Sequence, residues 1–159
     1  MSCESFSSES LKKRLESIGV NAVFLRFEEH TMTVDAAAKQ LGVSRERIIK
    51  SLLFVDDAGL PVLAIVTGDK RVDEAKLAAA CNAKNVRRAT PEEVKRFTGY
   101  NVGAVPPVGH ERTIRTIIDE KVLQFDRVIG GGGDVNMLLE ISPSDIRRLT
   151  NSQIKNISK

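Results

Sequence analysis

Cysteine is nearly absent, with Cys3 and Cys81 the only two in 159 residues. A disulfide framework is excluded by that count. With no C-x-x-C or H-x-x-x-H pair, a structural zinc site has no ligand set either. The two histidines, His30 and His110, lie far apart in the sequence. Tryptophan is missing, and one tyrosine stands beside six phenylalanines, which is too few aromatic platforms to stack a run of bases. The longest apolar run, Leu60 to Val66, has seven residues and contains Pro61. A membrane-spanning helix needs about 20. The opening MSCESFSSESLKKR lacks the apolar segment of a signal peptide. A soluble, cytoplasmic protein with no membrane partner is expected.

What remains is an ordinary globular composition. Hydrophobic residues make up 42% and there are 11 glycines, enough to build a core without disulfides or metal. The length fits a single domain spanning residues 1–159. The 24 Lys and Arg exceed the 21 Asp and Glu by three. The last 18 residues carry Arg147, Arg148, Lys155 and Lys159 against Asp145, also +3, so residues 1–141 net zero. Such a field does not coat nucleic acid by charge alone. Local basic groups occur at Lys70 and Arg71, at Lys84 with Arg87 and Arg88, and at Lys95 and Arg96. Each is either a solvated face or a contact for a few phosphates.

Local signals predict helices alternating with hairpins. Residues 1–9 read as a loose polar segment, and Leu11, Leu15 and Ile18 as one helical face. Residues 21–28 read as a strand. Thr33 caps a helix whose inner face is Val34, Ala37, Ala38 and Leu41 and which ends at Gly42. Lys50–Val55 and Leu60–Val66 form a hairpin across Asp56-Asp57-Ala58-Gly59. Asp73 begins a helix to Cys81, and residues 84–89 are extended. Thr90-Pro91-Glu92-Glu93 combines a capping box with proline at the first helical position. Further strands are expected at Thr113–Ile118 and Val135–Ile141, and a last helix follows Ser142. The class is α+β with a mixed sheet.

Three features could carry chemistry. Lys50 interrupts an otherwise apolar strand; it is either a snorkelling edge charge or a lysine aimed into a pocket, ready to bind phosphate or polarise a carbonyl. The segment Gly103-Ala104-Val105-Pro106-Pro107 is either a structural turn or a rigid loop whose backbone N–H groups hold an oxyanion. The run Gly130 to Gly133 precedes a strand and lacks a following Lys-Ser/Thr pair, so it is no P-loop. It is either a hairpin tip or backbone brought close to a ligand. No G-x-S-x-G elbow exists.

The ordered set HTMTVDAAAKQLGVSRERIIK, SLLFVDDAGLPVLAIVTGD, ATPEEVKRFTGYNVGAVPPVGH and GGGGDVNMLLEISPSDIRRLT resembles the YbaK/prolyl-tRNA synthetase-associated editing-domain family over roughly residues 20–150. The resemblance implies a mixed, partly barrel-like sheet of about six or seven strands wrapped by helices. It implies a trans-acting aminoacyl-tRNA deacylase that hydrolyses the ester of mischarged tRNA. The foremost candidate is tRNA(Pro) carrying a small non-cognate amino acid such as Ala or Cys. The family's lysine falls on Lys50 and its GxxxP loop on Gly103 to Pro107. Its glycine-rich turn falls on Gly130 to Gly133, with Gly131 and Gly132 against the substrate. His30 and Thr33 would add pocket walls.

An aminoacyl ester is already activated, so no Ser or Cys nucleophile is needed. A held water or ribose hydroxyl and oxyanion donors suffice. Lys50, Gly103, Ala104 and Val105 are the expected catalytic group; Ser51, Pro106 and Pro107 would help bind substrate. No metal or cofactor is implied. The implied partners are the tRNA acceptor end and prolyl-tRNA synthetase. Fold does not settle function, and the competing expectation is a non-catalytic module that binds aminoacyl-tRNA or a synthetase.

Overall fold

The computed structural model describes residues 6–27 and 33–159. Among them are five α-helices and eight strands in two sheets. The helices are α1 (Ser8–Ser17), α2 (Val34–Leu41), α3 (Glu74–Ala80), α4 (Pro91–Thr98) and α5 (Pro143–Thr150). The strands are β1 (Val23–Arg26), β2 (Ile49–Asp56), β3 (Pro61–Thr67), β4 (Val86–Arg88), β5 (Arg115–Asp119), β6 (Val128–Gly131), β7 (Met137–Ile141) and β8 (Gln153–Lys155). One sheet has the order β1-β7-β6 and is antiparallel; the other has the order β4-β2-β3-β5-β8, with β3, β5 and β8 parallel. The α+β class and the mixed sheet hold. The eight strands exceed the six or seven expected, and neither sheet closes on itself among the described residues.

Capping chemistry accounts for the helix boundaries. Thr90 and Glu93 form the expected reciprocal capping box, with Pro91 in the first turn. Thr33 caps α2 through Ala36 N–H, Asp73 caps α3, and Ser142 caps α5. The start of the chain departs from expectation. Ser7 caps α1, and the Ser8 N–H and hydroxyl both donate to Asp134 Oδ2. Phe6 stands edge-on to Tyr100 with ring centroids 5.7 Å apart. Residues 6–9 are therefore anchored rather than loose. Leu11 and Leu15 are buried as the periodicity requires, but Ile18 is an exposed C-cap residue. The helix ends before Ile18 can turn inward.

The five-stranded sheet is covered on both faces, which explains the unbroken apolar run of β3. On one face β2 and β3 present Ile49, Leu53, Leu63 and Ile65 to a core shared with α1, α4, α5 and the three-stranded sheet. On the other, Phe54, Val62, Ala64 and Val66 pack on Leu77 and Ala78 of α3. Fully burying a leucine such as Leu63 or Leu77 stabilises by roughly 1.5–3 kcal/mol. The sheets meet where Ile48 bridges Ile129 in parallel, and Ala37 and Ala38 of α2 pack on that seam.

Candidate active site

The seam leaves a gap. The outer edge of β2 is held at one end by the Ile48–Ile129 bridge and at the other by Ala89 N–H donating to Leu53 C=O at 3.0 Å. Between them it has no strand partner among the described residues. Backbone groups of alternate residues in a strand point the same way, so Ser51 aims its N–H and C=O into the gap, as Leu53 aims its carbonyl at β4. A cavity of about 150 Å³ occupies this place. Its walls come from α2 (Thr33, Val34, Ala37), β2 (Ile49 to Leu52), the 103–105 loop (Gly103, Val105), β6 (Gly130, Gly131) and Leu138 of β7.

Thr33, Lys50, Ser51, Gly103, Val105 and Gly131 of the expected set thus come together around one cavity. Others do not line it. Ala104 is buried; its N–H donates to Asn101 C=O at 3.0 Å and its carbonyl accepts from Gly133 N–H at 2.9 Å. It is committed to loop structure and is not the free donor expected. Pro106 and Pro107 are buried behind the wall. Gly132 donates to Met137 C=O in the turn after β6. His30 lies outside the described residues.

The loop therefore keeps two backbone donors. Gly103, in the left-handed region at φ +88°, and Val105 both line the cavity, and neither N–H has a hydrogen bond among the described residues. His110 braces the loop from behind. Its Nε2 lies 2.7 Å from Pro106 C=O, and burial lowers the ring's pKa to about 4. The ring is therefore neutral at physiological pH and donates that hydrogen bond. Sequence reasoning gave His110 no role; its position three residues after Pro107 was the available signal. It also read Val34 and Ala37 purely as core, since the seam they cover is a tertiary feature.

Lys50 and Ser51 face opposite ways. Ile49 and Leu53 belong to the core shared with the three-stranded sheet, whereas Leu52 and Phe54 belong to the α3 side. By strand alternation Ser51 goes with the first pair and Lys50 with the second. Lys50 Nζ donates to Lys70 C=O. Burial, then the charges of Arg45 and Arg71, lower its pKa below the ordinary lysine value, with Asp69 opposing. Ser51 Oγ is buried and has no hydrogen-bond partner among the described residues, an unusual state for a hydroxyl. No group of three or more His, Cys, Asp or Glu is placed to hold a metal among the described residues. Nor is any described helix long and apolar enough to cross a membrane.

Three comparisons bear on this geometry. EbsC of Enterococcus faecalis, a candidate Cys-tRNA(Pro)/Cys-tRNA(Cys) deacylase, is 31% identical over 131 residues, covering 82% of this chain and 79% of that protein. The proline–tRNA ligase of Nitratidesulfovibrio vulgaris is 40% identical over 90 residues, which are 57% of this chain and 16% of the ligase. The crystal structure of a candidate trans-editing enzyme for prolyl-tRNA synthetase superposes with a TM-score of 0.86 at 32% identity, covering 99% of both chains. The model of the aminoacyl-tRNA editing domain matches residues 28–149, a span that contains every wall of the cavity, and the chain belongs to that family.

Proposed function

We propose that this protein is a trans-acting aminoacyl-tRNA deacylase that removes a small non-cognate amino acid, such as Ala or Cys, from tRNA(Pro). One observation carries the reading: a cavity of about 150 Å³ lined by Gly103 and Val105, whose N–H groups have no hydrogen bond among the described residues, and by Ser51, whose buried hydroxyl has no partner among them, in a chain of the editing family. Pockets for drug-sized ligands run to about 300–1,000 Å³. This one suits a small aminoacyl group and not a nucleotide. Acting in trans is supported by the solved structure named as a trans-editing enzyme, and deacylation by the relative named as a deacylase.

The chemistry needs little from the protein. A water, held in line by the neighbouring ribose hydroxyl, attacks the ester carbonyl carbon; the bond from that carbon to the ribose oxygen breaks, the water's proton passes to that oxygen, and the free amino acid leaves. The N–H groups of Gly103 and Val105 donate to the oxyanion that develops. Each such donor is typically worth about 100- to 1,000-fold in rate. Ser51 Oγ hydrogen-bonds the aminoacyl group, and Thr33 borders its entrance. Lys50 supplies a positive field from the wall. Gly131 lets β6 close against the loop. Selection against proline comes from size; one methylene is worth only about 1–3 kcal/mol, so steric exclusion by Val34, Ile49 and Leu138 shares the task. The two sheets, joined at Ile48–Ile129, act as one partly rolled sheet within a single domain, and prolyl-tRNA synthetase is the partner whose errors the enzyme corrects.

The test is deacylation of tRNA(Pro) charged with Ala, Cys, Ser or Pro, run beside Lys50→Ala at equal fold content. Rapid loss of one mischarged species, spared Pro-tRNA and a defect in the variant support the reading. Tight tRNA binding with no hydrolysis of any species sinks it and favours a binding module.

A further inference from the structure

Lys50 borders a second cavity. On the α3 side of the five-stranded sheet a space of about 490 Å³ has Leu52, Phe54 and Val72 among its walls, with Arg71, Arg88, Lys159 and Glu74 beside Lys50. Among the lining side chains four cations thus meet one carboxylate, and Asp69 adds a second negative charge near Lys50. Among the described residues none of the four is in ion-pair range of a carboxylate. Nearby cations behave differently. Arg87, the neighbour of Arg88 on β4, makes two hydrogen bonds to Glu93 at 2.8 and 2.9 Å, and Arg45 pairs with Asp35.

The backbone that carries Arg71 and Lys159 is tied down, and the Arg88 side chain packs on a ring. Arg71 and Lys159 exchange backbone hydrogen bonds at 3.3 and 2.9 Å, flanking the Val72–Ser158 bridge. That terminal segment is fixed by Asp119, fully buried, whose Oδ1 accepts from Ile157 and Ser158 N–H. The Arg88 guanidinium lies over the Phe54 ring, 5.7 Å from its centroid. The charge of these cations reaches Lys50, whose ammonium form is disfavoured first by burial, then by Arg45 and Arg71 and least by Arg88, with Asp69 opposing. An anion in this cavity would relieve that repulsion.

We propose that the cavity rimmed by Arg71, Arg88 and Lys159 seats phosphate groups of the tRNA 3′ end whose aminoacyl group occupies the pocket beyond Lys50. This rests on the deacylase reading, which requires a phosphodiester strand to leave the small pocket. Lys50 lines both cavities, so the strand passes from one to the other along its wall. The net charge of +3 is then no obstacle, because a short contact neutralises few phosphates.

The experiment compares wild type, an Arg71→Ala/Arg88→Ala/Lys159→Ala variant, and a Lys12→Ala/Lys13→Ala/Arg147→Ala variant that removes equal charge elsewhere. Uncharged tRNA(Pro), intact or trimmed of its single-stranded 3′ end, is titrated across a salt series, and kcat and KM are measured on mischarged tRNA. The cavity variant is expected to raise Kd and KM about tenfold or more with kcat within about twofold. The salt slope should fall by about 2, from roughly 0.7 for each single-strand phosphate contact. Its binding defect should vanish on trimmed tRNA, and the control variant should bind intact tRNA as wild type does. Equal Kd and slope in wild type and cavity variant, an equal loss in the control, or a fall in kcat alone overturns the proposal. A wild type that binds through these cations and deacylates nothing keeps the phosphate site and overturns the deacylase. A wild type that deacylates and matches the cavity variant does the reverse.

Discussion

The backbone of Gly131 in β6 packs directly on the carbonyl of Val105, so closely that a Cβ on Gly131 would overlap the Val105 oxygen. The obstruction is backbone and cannot swing away. Glycine at this position is what lets the three-stranded sheet close on the loop that carries the Gly103 and Val105 donors. Gly131→Ala is expected to push that loop outward, and misplacement by about 1 Å can cost on the order of 100-fold in rate. The check is kcat/KM on mischarged tRNA, with circular dichroism showing that the fold survives. Wild-type activity in Gly131→Ala would mean that the loop's position does not matter to the reaction.

Lys50 supplies a different prediction because its side chain lies on the opposite face from Ser51. Lys50→Ala removes a positive field from the wall and not an oxyanion donor, so it is expected to lower kcat/KM by less than the roughly 100- to 1,000-fold that loss of a direct donor costs. Its amine loses its proton below the ordinary lysine range. Activity carried by the ammonium form therefore falls as pH rises toward that range, after subtraction of uncatalysed ester hydrolysis. Lys50→Arg, which stays charged, is expected to lack this alkaline fall. A pH profile of both proteins decides it; the same alkaline fall in Lys50→Arg would assign it to another group.

The sequence revealed the parts that local chemistry controls. The box of Thr90 and Glu93, the Asp56–Gly59 turn and the caps at Thr33, Asp73 and Ser142 are short-range features, and each sits where it was expected. Pairings between distant segments were hidden. Strand β8 joins β5 only through a parallel register that no local pattern announces. The division into two sheets depends on β2 meeting β6 at a single bridge. The run Gly130 to Gly133 showed that backbone comes close to something. The structure identifies the neighbours: Val105 for Gly131, Met137 for Gly132 and the start of α1 for Gly133. Strand alternation at Lys50 and Ser51 was available from sequence, but which face held the small cavity depended on the second sheet.

His110 ties the loop to the protonation state of the fold. Its pKa is lowered from about 6.5 to about 4 by burial, so the unfolded chain binds its proton first as pH falls. Stability from this group is full above pH 6.5 or so and drains away as pH drops toward 4, by on the order of 3 kcal/mol. The His110→Gln variant, which does not titrate, is expected to lose that part of the slope. Urea midpoints measured between those pH values in both proteins check it. Parallel curves would show that His110 is not held neutral by the fold.

Ser51 predicts opposite signs for stability and activity. Its hydroxyl is buried and unpartnered among the described residues, and an unsatisfied buried polar group costs about 1–3 kcal/mol. Ser51→Ala removes the hydroxyl and leaves only a small void, so thermal and urea stability are expected to hold or rise. If the hydroxyl waits for the aminoacyl group, the same change lowers kcat/KM by about tenfold, the worth of one ordinary hydrogen bond. A purely structural serine would show the reverse pattern, with stability falling and the rate on mischarged tRNA unchanged. Measuring both on one preparation separates a polar group kept for substrate from one kept for the fold.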